Sequence, residues 1–231
     1  MPMNNKNAKQ VLLPRPKAVF FDWDGTLVDS YRFLHDAHNY TRAQFGMPPF
    51  TIEEFGNYFG KPRELLYTQI YGAENIEEAK GYFEGYVYAH HAEKLKPLPG
   101  AQDLLETLFA MNIPCGVVTN KKRELVEAEI ANYNWQKHFV SVVGAGEAGE
   151  DKPSPKPLKL ALQHAGLGLQ LDDIWFVGDT DNDLACSNGV GTQSILIASD
   201  ELASPLLSEF RVDLHANNCA ALREFLLQYA E

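Results

Sequence analysis

Cysteine is scarce and scattered: three in 231 residues, Cys115, Cys186 and Cys219, with no pair at zinc or redox spacing. That excludes a disulfide framework and a thiolate metal centre, and leaves reduced core thiols in a cytoplasmic protein as the expectation. Long apolar runs are missing as well. No stretch reaches the ~18 residues that would span a bilayer. Residues 1–18 carry Lys6, Lys9, Arg15 and Lys17 without an acid or an apolar signal core, which suits a loose N-terminal arm. Positive charge is in short supply: 20 Lys and Arg stand against 31 Asp and Glu, a net charge of −11. Such a surface repels nucleic-acid backbones and anionic membranes, yet it leaves room for one small anion in a local basic pocket. The chain has an ordinary globular balance, 45% hydrophobic and 22% charged, and its length suits one large domain or one domain carrying an insertion.

Five short apolar runs read as strands: Lys17–Asp22, Ile113–Thr119, Phe139–Val143, Ile174–Gly178 and Ser194–Ile197. They are apolar on both faces, as strands of a parallel sheet covered on both sides must be. Helical patterns lie between them. Residues 101–111 align Leu104, Leu105, Leu108 and Met111 after the breaker Pro99-Gly100, residues 157–165 open on Pro157 and stop at Gly166, and residues 220–229 form a last amphipathic helix. Strands alternating with helices predict an open α/β sheet. Residues 30–96 break the alternation. They contain no convincing strand and read as helices near 30–45, 51–58, 62–71 and 75–94, rich in Tyr and Phe. That is too much chain for a plain crossover, so it is expected to be a helical insertion after the first strand, with Lys96-Pro97-Leu98-Pro99-Gly100 as the return hinge.

The acids gather where chemistry is expected. The first strand ends in Asp22-Trp23-Asp24-Gly25-Thr26-Leu27-Val28-Asp29, and the fourth in Gly178-Asp179-Thr180-Asp181-Asn182-Asp183. In doubly wound sheets, ligands sit outside the carboxyl ends of strands, so both groups lie at one rim. Carboxylates this close repel unless a cation or a shared proton relieves them, and an all-oxygen cluster suits Mg²⁺. Asp residues in such places also serve as helix caps and turn formers. Two sites at successive strand ends weigh against that being their whole role.

Four signatures in order, Asp22-x-Asp24-Gly25-Thr26-Leu27-x-Asp29, Thr119-Asn120, Lys152-Pro153-Ser154-Pro155 and Gly178-Asp179-x-x-x-Asp183, resemble the haloacid dehalogenase superfamily in its phosphoglycolate-phosphatase-like branch. The likeness extends over roughly residues 17–230. It implies an α/β Rossmann-like parallel-sheet core at 1–29 and 98–231, a sheet order resembling 5-4-1-2-3, and an α-helical cap domain at 30–97. It implies that Asp22 is the nucleophile and forms an aspartyl-phosphate. Asp24 is then the general acid and later the base. Mg²⁺ binds Asp22, the backbone carbonyl of Asp24, and Asp179, with Asp183 supporting it directly or through water. Thr119 and the Asn120 amide hold phosphoryl oxygens, and Lys152 neutralises nucleophile and phosphate. The acid at position 24 fits a phosphatase or a phosphomutase, since both handle an alkoxide oxygen. Charge counting agrees: four carboxyls and a phosphate ester outnumber Mg²⁺ and Lys152, so one carboxyl should hold a proton, and Asp24 is the natural one.

The implied activity is hydrolysis of a small phosphorylated metabolite, phosphoglycolate leading, by a cytoplasmic monomer or homodimer that binds neither nucleic acid nor membrane. Two rivals stay open: a β-phosphoglucomutase-like phosphomutase, and a phospho-accepting signalling module. Lys61 and Arg63, between two cap helices, are candidates for a substrate anion or for a solvated turn. The run Gly144-Ala145-Gly146-Glu147-Ala148-Gly149 matches GxGxxG, but the acids and prolines that follow argue against a dinucleotide site and for a loop that delivers Lys152. His35, His38, His90 and His91 read as surface or cap-core histidines, Trp23 as sheet packing or else a residue lining the pocket, and Lys156 as a solvated lysine at a helix start.

Overall fold

The structure, a computed structural model, describes residues 13–58 and 63–229, with the side chains of Arg63 and Glu64 left out. In chain order it runs β1 (Ala18–Phe21), β2 (Val28–Asp29), α1 (Tyr31–Gln44), α2 (Ile52–Gly56), α3 (Arg63–Tyr71), α4 (Ile76–Lys94) and β3 (Lys96–Pro97). It continues through α5 (Ala101–Ala110), β4 (Cys115–Val118), α6 (Arg123–Asn132), β5 (Phe139–Val143), α7 (Lys156–Ala165) and β6 (Ile174–Gly178). The last elements are α8 (Asp181–Val190), β7 (Gln193–Ile197), α9 (Asp200–Glu209), β8 (Leu214–Ala216) and α10 (Cys219–Leu227).

The main sheet has six strands in the order β5-β4-β1-β6-β7-β8, and every neighbouring pair is parallel. This is the expected order with one further strand, β8, at the outer edge. The first and second strands are shorter than the sequence suggests: Lys17 and Asp22, and Ile113 and Thr119, lie outside the ladder. β1 is central, buried throughout, and splits its side chains between two cores. Val19 and Phe21 face a core shared with α5, α6 and α10, while Ala18 and Phe20 face the layer of α7 and α8. Each fully buried apolar side chain of this kind contributes roughly 1.5–3 kcal/mol.

The stretch between β2 and β3 is helical, as expected. Its ends are strands, which the sequence pattern does not reveal: β2 and β3 pair antiparallel, Val28 with Pro97 and Asp29 with Lys96. The outgoing and returning chains therefore cross side by side. α1 and α4 pack together, and Phe33, Tyr67 and Phe83 join the same apolar cluster as Phe21, Trp23 and Leu27. His38 lies among Phe55, Tyr67, Tyr71 and Phe83, and His35 meets the Phe50 carbonyl at 2.9 Å, so both are packing histidines.

The three cysteines are free and buried. Among the described residues, no helix is long and apolar enough to cross a membrane. The N-terminal arm falls largely on residues 1–12, outside the described residues. Residues 13–17 are not loose: Arg15 donates to the Met111 carbonyl at 3.0 Å and Lys17 pairs with Asp173 at 2.8 Å.

Candidate active site

Four loops meet at the carboxyl rim. The first leaves β1, where the Asp22 N–H donates to the Val177 carbonyl at 2.8 Å and ties the acid to the neighbouring strand β6. The chain then turns. Leu27 and Val28 donate to the Trp23 carbonyl, and Gly25 donates to the Val28 carbonyl at 2.9 Å. Gly25 holds φ +88°, and a β-carbon there would stand 2.3 Å from Asp179 Oδ2, so the turn demands glycine twice over. Thr26 Oγ1 donates to Asp179 Oδ1 at 2.8 Å, so the loop after β1 also positions the acid after β6.

Lys152 arrives on the loop after β5. Its ammonium is buried and lies 2.5 Å from Asp22 Oδ1 and 2.7 Å from Asp183 Oδ1. Its backbone is gripped by the Asn120 side chain in both directions: Asn120 Nδ2 donates to the Lys152 carbonyl at 2.8 Å, and the Lys152 N–H donates to Asn120 Oδ1 at 2.9 Å. The Asn120 side chain therefore places the lysine. The glycine-rich run is the start of the same loop. Its Gly144 and Gly146 N–H groups are answered by Glu147 and Asp151, and the next helix is α7. Lys156, exposed, pairs with Glu150.

Asp183 lies in the first turn of α8. Its Oδ2 accepts from the Thr180 N–H, the Thr180 hydroxyl and the Asp179 N–H, while Oδ1 accepts from Lys152. Gly178 leaves it room, since a β-carbon there would lie 2.2 Å from the Asp183 Cβ.

Asp22, Asp179 and Asp183 each offer a carboxylate oxygen within 4.8 Å of the others. One ammonium among three carboxylates, Asp22 and Asp183 buried and Asp179 half-buried, leaves excess negative charge. Burial pushes Asp22 up to about 7 against the pull of Lys152, with Asp183 and Asp24 adding to the rise. Burial, then the charges of Asp183 and Asp22, drives Asp179 well above the ordinary carboxylate range. Burial works against a charged Lys152, but Asp183 and Asp22 hold it protonated. An all-oxygen donor set with unrelieved negative charge, beside a turn kept open by Gly25, fits a hard divalent cation.

Asp24 has a different partner. Lys121 Nζ lies 3.1 Å from Asp24 Oδ1 and also reaches Glu129 at 2.8 Å. The sequence reading missed both Lys121 and Glu129. The signal for Lys121 was its place directly after Thr119-Asn120; a lone Glu on a helix offers none. Trp23 packs edge-on against Trp135 and Phe139, as expected, and in addition donates to Glu129. His91 is buried and also meets Glu129, so it does more than pack.

A cavity of about 230 Å³ opens onto these groups. Asp22, Asp24, Thr119, Asn120, Lys121 and Lys152 form its floor, while Phe33 and Leu34 of α1 and Phe83, Val87 and Tyr88 of α4 form its roof. Phe83 and Tyr88 thus line the cavity besides packing within the helices. Lys61 lies outside the described residues. Arg63 is described only as the first residue of α3, its side chain left out.

The family model for haloacid dehalogenase-like hydrolases matches residues 19–197. A phosphoglycolate phosphatase from Chromobacterium violaceum is 32% identical over 218 residues, covering 91% of this chain and 96% of that protein. One from Rhodospirillum rubrum is 31% identical, covering 84% of each chain. In fold, a haloacid dehalogenase-like family hydrolase from Streptococcus pneumoniae superposes with a TM-score of 0.78 at 24% identity, covering 94% of this chain and 99% of that one. With the rim carboxylates, the lysine and the roofed cavity assembled in one place, the chain belongs to the haloacid dehalogenase-like hydrolase family, in its phosphoglycolate-phosphatase-like branch, and is a phosphatase.

Proposed function

We propose that this phosphatase hydrolyses small phosphate monoesters with Mg²⁺ through an aspartyl-phosphate on Asp22, and that phosphoglycolate is its leading substrate. The core is taken as residues 1–29 and 98–231 and the cap as 30–97. The observation that carries the reading is that the two acids after β1 have separate lysines: Asp22 pairs with Lys152 and Asp24 with Lys121. The two acids, two residues apart, therefore stand in different surroundings, as a nucleophile and a proton donor with separate tasks require.

Asp22 would attack phosphorus as the ester oxygen departs, and the Asp24 carboxyl gives that oxygen its proton. Asp24, now a carboxylate, takes a proton from water as the water oxygen attacks phosphorus. Phosphate leaves, and both acids return to their starting forms. Lys152 offsets charge on Asp22 and the phosphoryl oxygens, and Thr119 and the Asn120 backbone amide at the cavity floor are suited to orient those oxygens, the Asn120 side chain being taken up by the Lys152 backbone. Asp22, Asp179 and the Asp24 carbonyl would hold Mg²⁺, with Asp183 behind them. When bound, the ion supplies charge stabilisation and alignment for an in-line displacement. The roof from α1 and α4 excludes bulk water and limits substrate size. The choice of phosphoglycolate rests on the two relatives of that name at 32% and 31% identity.

Inorganic phosphate released from a panel of phosphorylated metabolites, with Mg²⁺ and with a chelator, tests the reading. Phosphoglycolate is expected to give the highest kcat/KM, and chelator to abolish turnover. A better ester in the panel reassigns the substrate, and phosphoryl return to a sugar without free phosphate would make the enzyme a mutase. Asp22→Asn should cost at least about 10³-fold in kcat with the circular dichroism spectrum unchanged.

A further inference from the structure

We propose that Lys121 is the positioning residue for the Asp24 carboxyl, and that buried Glu129 anchors this lysine and couples it to helix α4. The inference rests on the reading of Asp24 as proton donor. Among the described residues, Lys121 is the cation paired with Asp24. The lysine is itself fixed, because its ammonium reaches both oxygens of Glu129, at 2.8 and 2.9 Å.

Glu129 occupies an unusual place. It is wholly buried in α6 beside Leu125, Val126 and Ile130, where the helix pattern calls for an apolar residue. Burying a lone carboxylate is costly, so its partners must be well made. Trp23 Nε1 donates at 2.5 Å to one oxygen, and His91 Nδ1 meets the other at 2.8 Å. Trp23 is the residue between Asp22 and Asp24. Glu129 therefore steadies the acid twice, through the backbone segment that carries it and through the lysine that faces it. His91 belongs to α4, one turn beyond Val87, which roofs the cavity. The helix over the substrate and the group that protonates the leaving oxygen thus share one buried anchor. An apolar residue at 129 would pack the helix as well, and it would leave Lys121 free to swing.

Two substrates distinguish positioning from mere stability. The leaving group of an alkyl phosphate such as phosphoglycolate is an alkoxide and needs a proton, whereas that of p-nitrophenyl phosphate is a stable phenolate and does not. The value of kcat/KM reads the step in which this oxygen departs. Asp24→Asn should cost about 10²-fold or more on the alkyl ester and far less on the aryl one. Lys121→Met should repeat that split at about 10- to 100-fold on the alkyl ester, with Lys121→Arg recovering part of the loss. Glu129→Gln and His91→Phe should shift the ratio the same way. The pair Lys121→Met with His91→Phe should lose less than the product of the single losses, because both act through Glu129.

Should Lys121→Met fail to fold with Glu129 left without its lysine, Lys121→Met/Glu129→Leu removes both charges together and should show the same split. If Asp24→Asn splits the two substrates while the Lys121 variants lower both equally, positioning by Lys121 is wrong and the function stands. If Asp24→Asn itself fails to split them, Asp24 is not the acid, and the inference falls with that reading.

Discussion

Gly25 carries more of the site than its missing side chain suggests. Alanine there would have to hold φ +88° and place its β-carbon 2.3 Å from Asp179 Oδ2. The backbone strain costs about 1–3 kcal/mol. The larger effect is on the displaced carboxylate. Gly25→Ala is expected to raise the Mg²⁺ concentration for half-maximal activity about 10-fold or more, as measured by metal titration of turnover. Asp22 makes a second residue-scale prediction. Its carboxyl, held up to about 7 by burial, keeps a proton in the folded chain that the unfolded chain has already lost. Stability of the metal-free protein must then fall as pH rises from the ordinary carboxylate range through about 7. A cation among the carboxylates reverses the penalty. Mg²⁺ should therefore raise Tm more at about pH 8 than at about pH 5.5 in a thermal melt, and an equal gain at both would contradict the account.

At the scale of elements, legibility followed the length and continuity of the apolar run. The five strands read from sequence are apolar on both faces, so their pattern is continuous and hard to miss. β8, Leu-His-Ala, is a partly exposed edge strand and carries no such run. The helix α6 is masked by Glu129, an acid in the middle of its buried face. α8 holds Asp, Asn, Ser and Gly, and α9 contains Pro205, so neither has a strong helical pattern. The motif residues of the site were legible from their order along the chain. The Lys121–Glu129–His91 group was not, because its members come from a loop and two helices that only the fold brings together. α5 shows the legible case at work. Its stripe of Leu104, Leu105 and Leu108 is fully buried between the sheet and α10. Leu105→Ala is expected to cost about 2–5 kcal/mol in urea unfolding without changing KM.

For the molecule as a whole, the sheet order sets a gradient of stability. β1 is hydrogen-bonded on both sides and buried on both faces, and β8 closes one edge. Amide exchange should be slowest in β1 and fastest, among the six strands, in β8. A flat exchange profile across the sheet would overturn this picture. Asp22, the proposed nucleophile, follows directly on this central strand, so local opening elsewhere need not disturb it.

The antiparallel pairing of Val28 with Pro97 and Asp29 with Lys96 has a longer reach. It brings the two ends of the helical insertion within one ladder step of each other, so the chain leaves and re-enters the sheet at nearly one point. Loop-closure entropy grows only slowly with length. Segments of very different size can therefore be spliced at this junction while the catalytic floor stays put. The ribbon works as a socket, through which evolution or an engineer can swap one roof for another and change what is recognised without rebuilding what reacts.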